Sequence, residues 1–464
     1  YRPPIRDRCH GAHPLASASA LAQGCKISLA PLAERRPDHT RFPRPIFPSD
    51  DIERLMMSSV TEIQTAPDLQ KVKGLPASVR IAFMAIKSLQ KGRLTVTLPD
   101  GRQFLFDKGV PGPSAKINVL DVTMVQRVLS KGDIGFAEAY MDQQFTTPDL
   151  TEVLHYFAEN FEKAGRLGRG SPIKNAFTFI LNALTRQNTR RGSKQNILAH
   201  YDLGNAFYEK WLDETMTYSS ALYTKTEDLV AAQEEKYDLI ARQINASENS
   251  HILEIGSGWG GFAEHVAKTY GSKVRTITIS NEQHAYASQR MQAAGLNEKV
   301  SVELCDYRDV SGKFDGVASI EMFEAVGEVF WPSYFQKVSD SLKSGSRAAL
   351  QIITIDDELF SSYRKRVDFI QKYIFPGGML PSPSALKSQF EQAGLRFEKA
   401  TMFGQNYAKT LREWSDNFRH AWPDIEPLGF DRKFRNLWEY YLSYCEVGFR
   451  TGRTDVGQFV ITKP

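Results

Sequence analysis

Apolar residues change their spacing several times along the chain, and each change marks a different element. Over residues 79–90, VRIAFMAIKSLQ, they recur at helical intervals and stop before Lys91-Gly92. In RLTVTLPDGRQFLF they alternate with polar residues on both sides of Pro99-Asp100-Gly101, the pattern of a β-hairpin. INVLDV adds a short strand, and TMVQRVLSKGDIGFAEAYMDQQF reads as helix, turn and helix. Together they predict a small α+β domain over residues 56–150. It contains no clustered nucleophile, base or ligand set, so support or substrate docking is expected of it rather than catalysis.

From residue 251 the pattern becomes α/β. HILEIGSGWGGFAEHVAKTYG predicts strand, Gly-rich turn and helix; KVRTITIS a strand, NEQHAYASQRMQAAG a helix, and KVSVELCD and KFDGVASIE two further strands. FWPSYFQKVSDSLKSG reads as a helix, RAALQIITI as a strand, and RFEKATMFG and DVGQFVITK as two late strands. Strands alternating with helices imply a mixed, mostly parallel sheet whose ligands lie beyond the carboxyl ends of the strands. The excursion over 356–395 interrupts this rhythm with the aromatic and apolar RVDFIQKYIFPGGMLPS, broken at Pro-Gly-Gly. It is expected to form a lid over an apolar channel, with Phe369, Tyr373, Ile374, Phe375 and Met379 as channel candidates. The alternative for these residues is plain core.

Between these parts, residues 151–195 change character. Ile173, Phe177, Ile180, Leu181 and Leu184 recur at helical spacing, flanked by Lys163, Arg166, Arg169, Lys174, Arg186, Arg190, Arg191 and Lys194 with almost no acid. Such a basic amphipathic helix suits an anionic membrane surface, and equally a linker helix with a solvated basic face.

Composition narrows the setting. With 464 residues, 42% hydrophobic and 24% charged, the chain can bury a large core, and a formal charge of +4 is too small to point to nucleic acid. Its four cysteines form no CxxC or metal spacing, which fits a reducing compartment. No apolar run approaches the roughly 18 residues of a membrane span, so any membrane contact is expected to be peripheral. The expectation is a cytoplasmic protein. Residues 1–55, rich in Arg, Pro and His and without Met, read as a disordered tail, an extended start or an organelle-targeting segment.

The candidate chemistry begins at Glu254-Ile-Gly256-Ser-Gly258-Trp-Gly260-Gly261, where missing side chains let the backbone approach a ligand. A dinucleotide fingerprint can be laid on Gly256, Gly258 and Gly261, yet Glu254 would repel a pyrophosphate and no acid ends the second strand. A carboxylate in this turn suits the ammonium of an amino-acid-bearing nucleoside, as in S-adenosylmethionine. Farther on, FDGVASIEMFEAVGEVFW ends a buried strand in Glu321, Glu324 and Glu328.

Several separated stretches then occur in order: HYDLGNAFYEKWLDETMTYSSALY, LEIGSGWGGFAEH, TITISNEQ, CDYRD, EMFEAVG, YIFPGGMLPS, FGQNYAKTLREW and YYLSYCEVGFR. From about residue 80 onward the chain resembles the cyclopropane fatty acid synthase family of S-adenosylmethionine-dependent lipid methyltransferases. The resemblance implies a Rossmann-like class I methyltransferase fold over 196–464 with a helical lid, preceded by the small α+β domain. It implies a reaction in which the double bond of an unsaturated acyl chain in a membrane phospholipid attacks the sulfonium methyl. The resulting carbocation loses a proton and closes a cyclopropane ring. A homodimer through the N-terminal domain would be in keeping with the family.

Residue roles follow from the same resemblance. Glu324 and Tyr407, the side chain of Gln351, and backbone groups of Ser220 and Ile353 would hold a bicarbonate ion that takes the proton. Glu254, Gly256 and Gly258 would line the methionine moiety of the cofactor, Tyr218 and Ser219 its carboxylate and sulfonium region, and Thr278 and Gln283 the ribose. Asp306, Tyr307 and Arg308 would lie near adenine. Glu321 and Glu328, without motif support, read as surface or capping acids. The chain departs from the common bacterial synthases, which have Cys at the position of Ser220, His at that of Gln351 and His at that of Ala325. A methyl- or methylene-branched product is therefore an alternative, as are a soluble small-molecule substrate and a non-catalytic lipid-binding relative.

Overall fold

The computed structural model describes residues 60–160 and 203–464, and the expected tail and the basic segment 163–194 lie outside the described residues. Twelve strands form two sheets there. The first holds β1 (Thr61–Glu62), β2 (Lys91–Thr97), β3 (Gln103–Asp107), β4 (Val110–Val119) and β5 (Phe145–Thr146), in the order β1-β3-β2-β4-β5. β2 and β3 pair antiparallel, and the chain turns between them from Leu98 to Arg102, where the hairpin was expected. Strict alternation on β2 buries Leu94 and Val96 against Phe83 of the helix Ala77–Ile86.

The second sheet contains β6 (His251–Ile255), β7 (Lys273–Thr278), β8 (Val300–Leu304), β9 (Phe314–Ile320), β10 (Leu342–Ile355), β11 (Arg396–Met402) and β12 (Thr454–Thr462). Its order is β11-β12-β10-β9-β6-β7-β8, with β12 antiparallel to both neighbours and the pairs from β10 to β8 parallel. Helices cover both faces, which is why β6, β9 and the second half of β10 from Ala348 are buried almost without interruption instead of alternating. β6, β7, β8 and β9 all point the same way, so Gly256, Ser280, Asp306 and Glu321 emerge along one rim.

The segment after β10 divides. Asp357–Tyr363 and Phe369–Tyr373 are short helices above the rim, whereas Pro383–Gln392 returns to the sheet and buries Leu386 and Phe390. Two long helices, Gly404–Ile425 and Arg432–Arg450, complete the cover. The helices Asp133–Met141 and Leu150–Glu159 of the N-terminal part lie against the second of these. Tyr140 Oη donates to Glu439 Oε2 at 2.9 Å, and the Thr151 and Ser443 hydroxyls meet at 3.1 Å. Residues Ser59–Pro464 accordingly pack as one compact unit. Among the described residues, no helix is long and apolar enough to cross a membrane.

Candidate functional site

Beyond the carboxyl ends of the parallel strands lies a cavity of about 670 Å³. One end is polar and built from the turns that follow β6, β7 and β8. Gly256, Gly258 and Gly260 take φ values of 99°, 49° and 90°, a region in which a Cβ is strained, and the amides of Gly256 and Ser257 both donate to Ile277 O. A Cβ at Gly256 would lie 3.0 Å from Met322 Cγ, whereas one at Gly258 would meet only open space. Glu254 is 2% exposed, and its Oε2 accepts one hydrogen bond, from Thr276 Oγ1 at 2.5 Å. Burial pushes its carboxyl up to about 8. A buried acid of this kind calls for a cationic partner, and the ammonium of an amino-acid-bearing ligand supplies one.

Thr278 Oγ1 donates to Gln283 Oε1 at 2.9 Å, fixing that carboxamide where it lines the cavity, and the Ser280 hydroxyl caps the helix Asn281–Ala293 that carries it. Asp306 caps the turn Tyr307–Asp309 and forms an ion pair with Arg308 at 2.8 Å, with Tyr307 beside them edge-on to Tyr334. Tyr218 Oη and Tyr441 Oη lie 2.7 Å apart, and Ser219 Oγ accepts from Lys236 Nζ at 2.7 Å. All ten residues assigned to the cofactor from sequence thus line this end.

At the junction with the apolar end stand two carboxyls that follow β9. Glu324 Oε1 accepts from the Ile353 amide at 2.6 Å, and Glu324 Oε2 is buried without a hydrogen-bond partner. Its carboxyl is pushed up to about 8, first by burial and then by the charge of Glu321. Glu321 corrects the sequence reading, which placed it among surface or capping acids. Its Oε2 accepts from Tyr407 Oη at 2.7 Å, and its Oε1 accepts from Gln351 Nε2 at 2.7 Å and from the Ser220 amide at 2.8 Å. Burial pushes this carboxyl up, against the pull of those three donors and of the Lys236 ammonium. Lys236 is itself fully buried, its pKa drawn down to about 7 by desolvation, and it escaped the sequence reading because it sits within an ordinary helix, Leu229–Gln243. Glu328 remains the peripheral acid it was expected to be, paired with Arg364 at 2.5 Å.

The five residues expected to gather around an anion are brought together, with Glu324, Tyr407 and Ile353 on the cavity wall and Ser220 and Gln351 behind Glu321. The donors of Ser220, Gln351 and Tyr407, however, already serve a carboxylate of the chain. A bicarbonate ion does not fit the groups as arranged, because it would have to displace Glu321 and place two anions in a buried pocket.

The other end is apolar. Phe375 and Met379 line it as expected, but Phe369, Tyr373 and Ile374 do not. Phe369 packs 4.7 Å from the Tyr440 ring, Tyr373 Oη donates to Glu138 Oε1 at 2.7 Å, and Ile374 is buried in the surrounding aromatic core. Val79, Phe83, Leu129 and Phe157 of the N-terminal part extend the wall, so that part shapes the cavity. No local pattern in the sequence announces this, since Val79, Phe83 and Phe157 also pack with the core of their own sheet.

Residues 188–459 match the sequence family described as mycolic acid cyclopropane synthetase. The chain is similar to the tuberculostearic acid methyltransferase UfaA1 of Mycobacterium tuberculosis, 38% identical over 73% of this chain and 81% of that protein. It is similar also to the cyclopropane-fatty-acyl-phospholipid synthase of Escherichia coli strain K12, 32% identical over 75% and 88%. Among solved structures, the cyclopropane synthase MmaA2 from Mycobacterium tuberculosis superposes with a TM-score of 0.55 at 25% identity, covering 58% of this chain and 98% of that one. The mycolic acid cyclopropane synthase CmaA1 complexed with SAH and CTAB gives 0.55 at 27%, with the same coverage.

Proposed function

Since the chain belongs to the mycolic acid cyclopropane synthetase family, we propose that it transfers the methyl group of S-adenosylmethionine to the double bond of an unsaturated acyl chain of a membrane phospholipid, forming a cyclopropane. The observation that carries this reading is one cavity joining a cofactor cradle to an apolar chamber, with Glu321 and Glu324 where the two meet.

When bound, S-adenosylmethionine supplies an electrophilic methyl on a sulfonium. Glu254 offers the counter-charge for its ammonium, Gly256 and Gly258 leave room for close backbone approach, and Gln283 and Asp306 present polar groups at the ends of β7 and β8. An alkene is a weak nucleophile, so holding it in line accounts for much of the rate. Phe375, Met379 and the apolar residues of the N-terminal part fix the chain and exclude water, which would otherwise capture the cation on the lipid. Tyr407 and Tyr441 line the same space, and an aromatic face beside a desolvated cation is worth roughly 1–2 kcal/mol. Bicarbonate has no part in this reading, because the groups that would hold it are engaged.

The lipid substrate implies a peripheral meeting with a membrane surface. Incubation of the full chain with methyl-labelled S-adenosylmethionine and vesicles of unsaturated phospholipid tests the proposal. Label in the acyl chains, with a ring shown by mass spectrometry and gas-phase retention, supports it. Label in an exocyclic methylene keeps the transfer and changes the product. Failure to label any vesicle lipid overturns the lipid reading.

A further inference from the structure

We propose that Glu321 is the built-in proton acceptor of this enzyme, a carboxylate of the chain itself doing at this site what a captured anion would otherwise do. The inference rests on the methyl-transfer reading and goes beyond it.

Four observations carry the assignment. Glu321 lines the cavity at the junction of the cofactor cradle and the apolar chamber, and Met322, the next residue, packs against Gly256 of the cofactor turn. Its carboxylate takes up the hydroxyl of Tyr407, the carboxamide of Gln351 and the amide of Ser220. Those bonds place two donors on Oε1 and one on Oε2, which leaves the second lone pair of Oε2 to accept a proton. The backbone at Glu321 has φ 48°, a left-handed conformation that favours glycine, held in place by the continued ladder from the Glu321 amide to Gln351 O. A strained, buried acid with three donors aimed at it is an expensive arrangement for a capping residue and a suitable one for a base.

Glu324 completes the pair in a different setting. Burial pushes both carboxyls up, but Glu324 has one backbone donor on Oε1 and no partner on Oε2, whereas three donors and the nearby Lys236 work to stabilise a charge on Glu321. Of the two neighbouring carboxyls, the donor set therefore assigns the accepting role to Glu321, where three hydrogen bonds offset its burial.

The step balances without another reagent. A C–H bond of the newly attached methyl breaks; its electron pair forms the bond to the cationic carbon and closes the ring, and the proton passes to Glu321, leaving a neutral carboxylic acid. If a hydride shifts first along the lipid, the same acceptor takes a methyl proton and an exocyclic double bond forms. The proton then returns to solvent when product leaves.

The test compares the full-length wild type with Glu321→Gln and Glu321→Ala in carbon-dioxide-free buffer and with added bicarbonate. Wild-type turnover should be independent of bicarbonate. Glu321→Gln should lose on the order of 10²–10⁴-fold in turnover while still binding S-adenosylmethionine by calorimetry. Glu321→Ala, which exposes the three donors, should bind ¹³C-bicarbonate by NMR line broadening and recover turnover as bicarbonate is added; wild type should show neither response. A wild type that binds or requires bicarbonate overturns the assignment, as does full activity in Glu321→Gln. If wild type labels no lipid at all, the methyl-transfer reading fails instead, and bicarbonate binding by wild type against Glu321→Ala still decides whether Glu321 fills the anion site. Should either variant fail to bind S-adenosylmethionine, the wild-type response to bicarbonate decides alone.

Discussion

The two ends of the cavity are assembled in opposite ways. At the cofactor end eight of the ten contributing groups sit within a few residues of a strand terminus, Glu254 to Gly258, Thr278 to Gln283 and Asp306 to Arg308 being three short stretches on one rim, and only Tyr218 and Ser219 arrive from elsewhere. At the carboxylate end Ser220, Glu321, Gln351 and Tyr407 converge from four distant parts of the chain onto a single carboxylate. Sheet topology builds most of the first site, whereas tertiary packing must build the second. Damage at one end should therefore leave the functions of the other intact.

Gly256→Val is the most severe way to try this. Its φ of 99° is hostile to a side chain and its Cβ would crowd Met322 at 3.0 Å, a combined cost of about 3 kcal/mol or more and hence roughly 100-fold in cofactor affinity. Calorimetry should show that loss while the fold persists by circular dichroism. Unchanged affinity would mean that the cofactor does not approach this turn.

Tyr407→Phe attacks the other end. It removes the donor to Glu321 Oε2 but keeps the ring against Phe449 at 4.4 Å. A hydrogen bond to a charged group is worth about 1.5–3 kcal/mol, so turnover should fall roughly 10- to 100-fold with cofactor affinity unaltered. A parallel fall in cofactor affinity would break the separation of the two ends.

The same contrast governs what could be read from the chain. The glycine turn and the β-hairpin at Pro99-Asp100-Gly101 are local patterns found where spacing placed them, and the strand-end polar groups that the resemblance named are equally local, each in a short stretch that lines the cavity. Glu321 looked like a capping acid because its partners lie 101, 30 and 86 residues away, a separation that no periodicity reports. Phe369 and Phe375 illustrate a second reason: both are apolar and six residues apart, yet one enters an aromatic cluster with Tyr440 and the other lines the cavity. Spacing names a buried face without saying whether protein or ligand covers it.

A smaller effect concerns pH. In the ligand-free protein Glu254 holds its proton up to about pH 8 in the folded state but releases it near the ordinary value of 4.5 when unfolded. Between those values the folded state binds more protons, so stability falls as pH rises through the window. Glu324 acts in the same direction, from 4.5 to about 8. The ligand's ammonium compensates Glu254 alone. Thermal unfolding followed across this window should show Tm falling with pH, with S-adenosylmethionine removing part of the slope; an unchanged slope would mean that Glu254 does not meet the ammonium.

The mildest variant probes how the N-terminal part is joined to the cover. Tyr373 reaches away from the cavity to donate to Glu138 Oε1 at 2.7 Å, and Glu138 also pairs with Lys372 at 2.9 Å and Lys131 at 2.5 Å. The two lysines and the tyrosine hold this carboxyl down to about 2, so it stays charged after any one of them is lost. Tyr373→Phe therefore removes one of three donors and should destabilise the contact by no more than about 1 kcal/mol. Because Phe369 and Phe375 flank Tyr373 on the same short stretch, this loosening should be felt as a modest rise in KM for lipid, within roughly threefold, with kcat and cofactor affinity held. A change in kcat of the size expected for Tyr407→Phe would mean that the cover and the carboxylate pair are mechanically coupled, and that the apolar wall positions the alkene as directly as the base does.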